Sequence, residues 1–337
     1  MPFPVSRGFA ATAGAALLLL TGCSSDSDSN DLATIEPAVA AQSPAPRVAP
    51  AGDVAPLPSP VTGVTFDAES GLLATLLTDN TVLLIDPRDA QAAPKTVALA
   101  ARANEIGPGK PGEVLVAGDR TVSRIDLKTA ARTDLAVDGD ALSAAQLADG
   151  RVAAGLADGR TEVFDGNGST ETIDGLVSVD GLATVHDSLA AVDRRQTSLT
   201  LYDVDAGDID LALRAGEGAT NLVADHFGRI LVTDTTGGEL LVYTSDPLLL
   251  RQRYPVGSSP YAIAYDDKAE LVWVTLTSTN EVVGYDLSSG IPVEVKRFPT
   301  VRQPNSLAVD SAGGRLFVGS ATGDGVQTIG LQGFGGR

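Results

Sequence analysis

A strand-like pattern that returns about every forty residues constrains the fold of this 337-residue chain more than any other feature. It consists of a usually apolar residue, three more residues and then usually an aspartate. The pattern is found at residues 82–86, 122–126, 161–165, 199–203, 240–244, 282–286 and 326–330. Successive last positions are 40, 39, 38, 41, 42 and 44 residues apart. This regular interval indicates one structural unit repeated seven times.

Each repeat carries further strand-like stretches. Two earlier apolar stretches precede the pattern, as at 262–266 and 271–275, and a weaker one follows it, as at 294–298. They are bounded by Gly, Asp, Asn and Pro, which is typical of short strands joined by tight turns. The sequence therefore predicts an all-β fold, a seven-bladed β-propeller with four-stranded antiparallel blades, in which radial repetition protects the sheet edges.

The two ends of the repeat region indicate how the ring closes. The seventh repeat ends near Leu331 without a fourth strand, and residues 47–52 precede the first repeat where an outer strand would stand. We expect 47–52 to pair with the last blade, which places the propeller at residues 47–337. The alternative is that 47–52 belong to a linker.

The amino terminus has the features of an export signal. Arg7 is followed by an apolar run over 8–20, which is too short to span a bilayer but typical of a signal peptide over 1–22. The run ends in Leu-Thr-Gly before Cys23, which resembles the lipobox of bacterial lipoproteins. The resemblance implies cleavage before Cys23, acylation of that cysteine (palmitate), and a lipid anchor on the extracytoplasmic face of the cell membrane. An ordinary signal peptide with a chance cysteine is the alternative.

The residues after Cys23 predict a tether over 23–46. Residues 24–31 are polar and acidic, and residues 36–60 contain seven prolines. Pro-rich segments extend about 3 Å per residue, so we expect a disordered spacer that holds the propeller above the membrane. Arg and Ala greatly outnumber the five lysines, which suggests a GC-rich, actinobacterial source.

One repeat carries a family resemblance. Val-Trp-Val-Thr at 272–275, followed by 280–286 and Ser289-Gly290, resembles the YVTN-type propeller repeat. The resemblance covers about 60–332 and is best in repeats five to seven. It implies the fold, whereas propellers of this type serve as surface proteins, binding modules and occasional enzymes.

Charge and cysteine content exclude several classes of function. The formal net charge of −19 argues against a nucleic-acid partner, because such proteins cluster Lys and Arg. A single cysteine excludes a disulfide framework within the chain. We expect a monomer.

Candidate site residues stand at the start of the innermost strands, where a propeller has its channel mouth. These positions are Thr62, Asn104, Asp180, Asn221, Tyr261 and Asn305. The set Asn104, Asp180, Asn221 and Asn305 is similar to the central metal site of gluconolactonase-type propellers, which implies calcium or another divalent cation and lactone hydrolysis. The alternative is that these side chains satisfy strand ends or ordered water.

Other polar groups also have two interpretations. Six loops between second and third strands carry an aspartate, and the sixth repeat has Asn280 instead; the aspartates are Asp79, Asp119, Asp158, Asp193, Asp234 and Asp324. They could attract calcium, or they could simply favour tight turns. His186 and His226 are expected on the opposite rim, as metal ligands, a base or exposed turn residues.

The sequence contains no Gly-x-Ser-x-Gly element, and we predict no catalytic residue and no cofactor. The leading hypothesis is a non-enzymatic binding or scaffold propeller, lipid-anchored at the cell envelope, with an envelope protein, a glycan or a small ligand as partner. The alternative is a divalent-metal-dependent lactonase-like hydrolase with its site at the channel mouth.

Overall fold

Twenty-six β-strands and no helix are found in the computed structural model, which describes residues 33–89, 91–166 and 168–331. The predicted signal peptide and Cys23 lie outside these residues. The strands are β1 (Asp53–Ala55), β2 (Val61–Asp67), β3 (Leu72–Leu77), β4 (Thr81–Ile85), β5 (Lys95–Ala98), β6 (Ala103–Pro108), β7 (Glu113–Asp126), β8 (Arg132–Gln146), β9 (Val152–Leu156), β10 (Thr161–Asp165), β11 (Gly168–Ile173), β12 (Gly181–Val185), β13 (Ser188–Asp193), β14 (Ser198–Asp203), β15 (Asp208–Arg214), β16 (Ala219–Ala224), β17 (Arg229–Asp234), β18 (Glu239–Ser245), β19 (Leu248–Pro255), β20 (Pro260–Asp266), β21 (Leu271–Leu276), β22 (Glu281–Asp286), β23 (Val293–Pro299), β24 (Pro304–Asp310), β25 (Arg315–Ser320) and β26 (Val326–Gly330).

Most of these strands form four-stranded antiparallel blades. Four blades follow chain order from the inner to the outer strand, namely β2–β5, β12–β15, β16–β19 and β20–β23. Middle strands such as β13 are almost wholly buried, because neighbouring blades cover both of their faces, whereas the outer strand β15 is largely exposed. This difference explains why the second and third strands of a repeat are continuously apolar and the fourth is weak in the sequence.

The structure has six blades, so the predicted number of seven is wrong. Repeats two and three share one six-stranded sheet, because β8 pairs with β7 through its first half and with β9 through its second half. Asp119 pairs with Asp140 at the point where β8 changes partner, and no proline interrupts the strand there. The shared sheet still supplies two of the inner strands. Inner strands contact one another in the order β2, β6, β8, β12, β16, β20 and β24, and β24 contacts β2.

The N-terminal residues close the last blade. β1 pairs antiparallel with β26, with Val54 opposite Gln327. The closing strand therefore begins one residue after the predicted segment 47–52, of which Ala51 N donates to Pro299 O at 2.9 Å. Gln327 is fully buried, and its Nε2 donates to Ala51 O at 2.6 Å, which ties this segment to the last repeat.

Residues 35–44, which we call the strap, lie against the blades. Ile35 N donates to Arg195 O at 2.7 Å, and Ser43 Oγ donates to Thr277 O at 2.6 Å. The prediction of a free Pro-rich spacer is therefore wrong for these residues, and the compact unit begins at Ala33. Among the described residues, none forms a helix of the length and apolarity needed to cross a bilayer.

Candidate functional site: the mouth of the central cavity

A cavity of about 1070 Å³ lies at the centre of the ring of inner strands. Every inner strand contributes to its wall. All six residues predicted at the channel mouth line this one cavity, namely Thr62, Asn104, Asp180, Asn221, Tyr261 and Asn305.

A repeated β-bulge places several of these side chains at the mouth. In β2, β6 and β24 the pairing with the second strand skips one residue near the strand start, and the skipped residues are Thr62, Asn104 and Asn305. A bulge leaves a residue out of the ladder and redirects its side chain. The same local irregularity thus recurs around the ring and presents polar groups to the cavity.

Asn104 is held by hydrogen bonds to neighbouring protein groups. Its Nδ2 donates to Asp140 Oδ1 at 2.8 Å and to Ala141 O at 2.7 Å, and its Oδ1 accepts from Arg102 Nη1 at 2.7 Å. Arg102 Nη2 also donates to Asp140 Oδ2 at 2.6 Å. The amide and Asp140 therefore form one polar network between repeats two and three.

Asp180 faces the cavity and accepts from its own blade. Its Oδ2 accepts from Ser178 Oγ at 2.6 Å and from Arg194 N at 2.9 Å. Arg194 also lines the cavity. The cavity lining therefore includes a residue of each charge, although the bond between them is made by the backbone N of Arg194.

The other two predicted amides are used in the same way. Asn221 Nδ2 donates to Tyr261 O at 3.1 Å, which links repeats five and six. Asn305 Oδ1 accepts from Gln303 Nε2 at 3.0 Å. These contacts favour the interpretation that the amides satisfy strand ends. Within the described residues no group of three His, Cys, Asp or Glu side chains is placed to hold a metal. The divalent-cation site stays a prediction.

Glu105 lines the same cavity, although the sequence analysis did not select it. Desolvation raises the pKa of its carboxyl to about 8, and the charge of Asp180 acts in the same direction. Ala144 N donates to Glu105 Oε2 at 3.2 Å. In a regular strand Asn104 and Glu105 would face opposite sides, but the bulge after Ala103 lets both reach the cavity. The sequence signal that could have identified Glu105 is its position next to Asn104, a predicted mouth residue.

Two of the six aspartates in loops between second and third strands have buried carboxylates, and both accept hydrogen bonds from turn backbone. Asp193 accepts from Val177 N at 2.8 Å and from Gln196 N at 2.9 Å. Asp234 accepts from Gly218 N at 2.8 Å and is likewise fully buried. Their oxygens are taken by backbone amides, as the turn interpretation expects.

The two histidines lie at the turns between first and second strands. His226 Nδ1 is 3.1 Å from Asp267 Oδ1, and Asp267 lines the cavity. The His186 ring packs against Gly228, where a Cβ would lie 2.5 Å from the imidazole. His186 and His226 therefore belong to adjacent turns, and His226 stands beside the cavity wall.

These features define the class: the chain is an all-β propeller with a central cavity that has polar groups at its mouth. Its fold is similar to a solved structure of hydrazine synthase from Kuenenia stuttgartiensis, with a TM-score of 0.70, 14% identity, and coverage of 83% of this chain and 98% of that chain. It is also similar to a chain in a crystal structure of the mitotic checkpoint complex, with a TM-score of 0.72, 13% identity, and coverage of 88% and 97%. At these identities the likeness shows the fold alone. No protein-family model and no curated protein matches the sequence.

Proposed function

We propose that this chain is a binding propeller of the cell envelope that holds a ligand or partner at the mouth of its central cavity. The observation that supports this proposal is the mouth itself. The residues that line it include Asp180, Arg194 and three asparagines, and the cavity volume of about 1070 Å³ is close to the upper end of the range for ligand pockets. Convergent polar groups around a preformed cavity are what recognition of a small polar ligand or a protruding partner segment requires.

Display at the membrane rests on the lipobox at Cys23. Twelve positions separate Cys23 from Ile35, where the strap begins its contacts with the blades. An extended chain covers about 3.5 Å per residue, so the anchor would hold the propeller within about 40 Å of the bilayer. Because the strap runs beside Arg194 and Gln303, the tether would leave from the mouth side of the propeller.

Anchoring is tested by Cys23→Ala in cells that express the protein. The variant is expected in the soluble extracytoplasmic fraction or as an uncleaved precursor, because the acylated side chain is missing. Ser24→Ala is the matched control and should fractionate with membranes. Normal processing and membrane attachment of the Cys23 variant would contradict the lipid anchor.

Binding at the mouth is tested by photo-crosslinking in intact cells, with a benzophenone amino acid placed at Thr62, which is exposed at the mouth. The control position is Val293, which is 49% exposed on the outer strand β23. We expect a discrete adduct from position 62 that is absent from position 293. A lack of adducts at 62, or identical adducts at both positions, would argue against recognition at the mouth.

A metal-dependent lactonase-like hydrolase is the second candidate. It is favoured by one observation, which is that Asn104, Asp180, Asn221 and Asn305 line a single cavity. Calcium bound only to the folded chain should then raise the melting temperature, and Asp180→Ala should abolish the rise because it removes the one formal charge of the set. An equal shift in both proteins, or no shift in either, removes this candidate.

A further inference from the structure

The strap is bound chiefly through its backbone. Ala41 N donates to Ser259 Oγ at 2.9 Å, Arg194 Nη2 donates to Ala38 O, and Asn280 Nδ2 donates to Pro44 O at 3.0 Å. These partners come from loops of repeats four, six and seven or their junctions, and we call the surface they form the rim groove. It consists of Arg194, Gly218, Ser259, Thr277, Asn280 and Gln303.

Gln303 binds the strap as a neighbouring β-strand would. Its Nε2 donates to Ala41 O at 3.0 Å, and its Oε1 accepts from Ser43 N at 2.9 Å. Its own backbone N donates to Ser43 Oγ at 2.9 Å. One side chain therefore binds both a carbonyl and an amide of the strap backbone. Because both groups belong to the backbone, this binding does not depend on the identity of the residue between them.

Asn280 shows that the groove is built for a carbonyl. Asn280 is the last residue of the loop between β21 and β22, and its side-chain amide donates to Pro44 O. A carboxylate could only accept a hydrogen bond and would repel the carbonyl oxygen. Asn280 is 5% exposed, and its Oδ1 has no partner among the described residues. The groove thus retains an unused buried acceptor beside the strap.

The groove accepts only small inward side chains. Ala38 and Ser43 are buried, whereas Val39 is 76% exposed. A Cβ on Gly218 would lie 2.7 Å from the Ala38 Cβ, so the glycine leaves the room that this alanine occupies. Ser43 Oγ donates to Thr277 O, which a larger apolar side chain could not do.

We propose that the rim groove is an exchangeable binding site for extended peptides with small residues at the two inward positions, occupied in this structure by the chain's own residues 35–44. The strap buries little apolar surface and is held by hydrogen bonds, each of which contributes little net stability in water. It therefore dissociates without unfolding the blades. Residues 35–44 of a second copy of this chain then bind in its place, because the structure shows that this segment fits the groove.

Release of the strap also changes the mouth of the cavity. Arg194 lines the cavity and donates to the strap, and Gln303 contacts both the strap and Asn305. Once the strap has left, Arg194 Nη2 no longer donates to Ala38 O and becomes available to another acceptor. Exchange in the rim groove requires neither the lipid anchor nor a ligand in the cavity.

The test uses the full chain and a fluorescein-labelled synthetic peptide of residues 35–47. Ala41→Pro with Ser43→Pro removes two strap N–H donors and leaves every groove residue intact. We expect fluorescence anisotropy to show saturable binding of the peptide to this variant. Binding to the wild-type chain should be at least tenfold weaker, because a tethered strap competes at an effective concentration near millimolar. Adding Gln303→Ala to the variant should weaken binding at least tenfold.

Two controls make the outcome decisive. A peptide with Ala38 replaced by Trp should not bind, because Gly218 leaves space for a methyl group only. A cooperative melt followed by the fluorescence of Trp273, which is fully buried, establishes that the variant is folded. A folded variant that binds no peptide, or binds it equally well after Gln303→Ala, overturns the proposal.

Hydrogen exchange of the wild-type chain gives an independent readout if the proline variant does not fold. The amides of Ala41 and Ser43 should exchange faster than that of Val274 in the buried strand β21, because local release of the strap exposes them. Exchange of both strap amides only at the rate of global unfolding would show that the strap is a fixed part of the fold, and would overturn the proposal.

Discussion

Replacing Glu105 by Gln should remove a pH-dependent loss of stability. Burial beside the cavity raises the pKa of this carboxyl from 4.5 to about 8. Below pH 4.5 the group is neutral in the folded and unfolded chain. As the pH rises towards 8, the unfolded chain gains the stability of an ionised carboxylate and the folded chain does not, so stability is lost across this window. The amide in the variant carries no charge at any of these pH values, and it can still accept from Ala144 N.

The size of the effect follows from the two pKa values. One pKa unit corresponds to 1.36 kcal/mol, so the interval from 4.5 to about 8 has an upper limit of about 5 kcal/mol. Glu105 faces a cavity large enough for water, which screens the charge, and we expect about 2 kcal/mol. For a domain of about 300 residues this corresponds to a melting-temperature difference of about 3 °C.

The assay is thermal unfolding of the wild type, Glu105→Gln and the exposed control Glu69→Gln at pH 4.5, 6, 7 and 8.5. Glu105→Gln should melt with the wild type at pH 4.5 and about 3 °C above it at pH 8.5. The control corrects for the loss of one negative charge from an acidic chain. A difference between Glu105→Gln and the wild type that stays constant across this pH range would refute the reasoning.

Three further outcomes are expected. Gln327→Ala should lower the free energy of unfolding by about 3 kcal/mol, because the buried amide accepts from Val301 N and donates to Ala51 O and Pro299 O. Denaturant unfolding measures this change, and a value below about 0.5 kcal/mol would contradict the role of Gln327 in closing the ring. Arg315→Ala should lower the free energy of unfolding by about 2 kcal/mol, because it leaves the buried Asp310 without its ion-pair partner. Arg297→Ala breaks two more exposed pairs, with Glu281 and Glu294, and should cost about 1 kcal/mol or less. Equal costs in the same unfolding experiment would contradict the argument from burial. Asn280→Asp should make residues 35–44 more sensitive to limited proteolysis than in the wild type, because the donor to Pro44 O is lost; unchanged cleavage would show that this bond does not hold the strap.

The blades could be predicted from the sequence because their determinants are local. Strands such as β21 and β22 carry their own apolar pattern and turn residues, and the repeat interval superimposes them from one unit to the next. The mouth residues could also be predicted from the repeat, since each stands at or near the start of an inner strand. The number of blades could not be predicted from the repeat interval. The interval does not reveal that β8 continues past Asp140 and joins repeats two and three in one sheet.

The strap could not be predicted because its partners are distant in the chain. Ser43 binds Gln303 across 260 residues, and no local pattern encodes that pairing. Composition alone favoured a spacer, since proline and alanine are as suitable for a docked extended segment as for a free one. Glu105 was missed for a different reason, because the bulge that turns it towards the cavity depends on pairing with β7.

A crystal structure of the protein tests the central claim most directly. We expect electron density for residues 35–44 in the rim groove, with Gln303 bonded to Ala41 and Ser43. We also expect Asn104, Asp180, Asn221 and Asn305 to line one cavity beside the strap. An open rim groove with residues 35–44 directed away from the blades, or mouth residues that do not share a cavity, would contradict it.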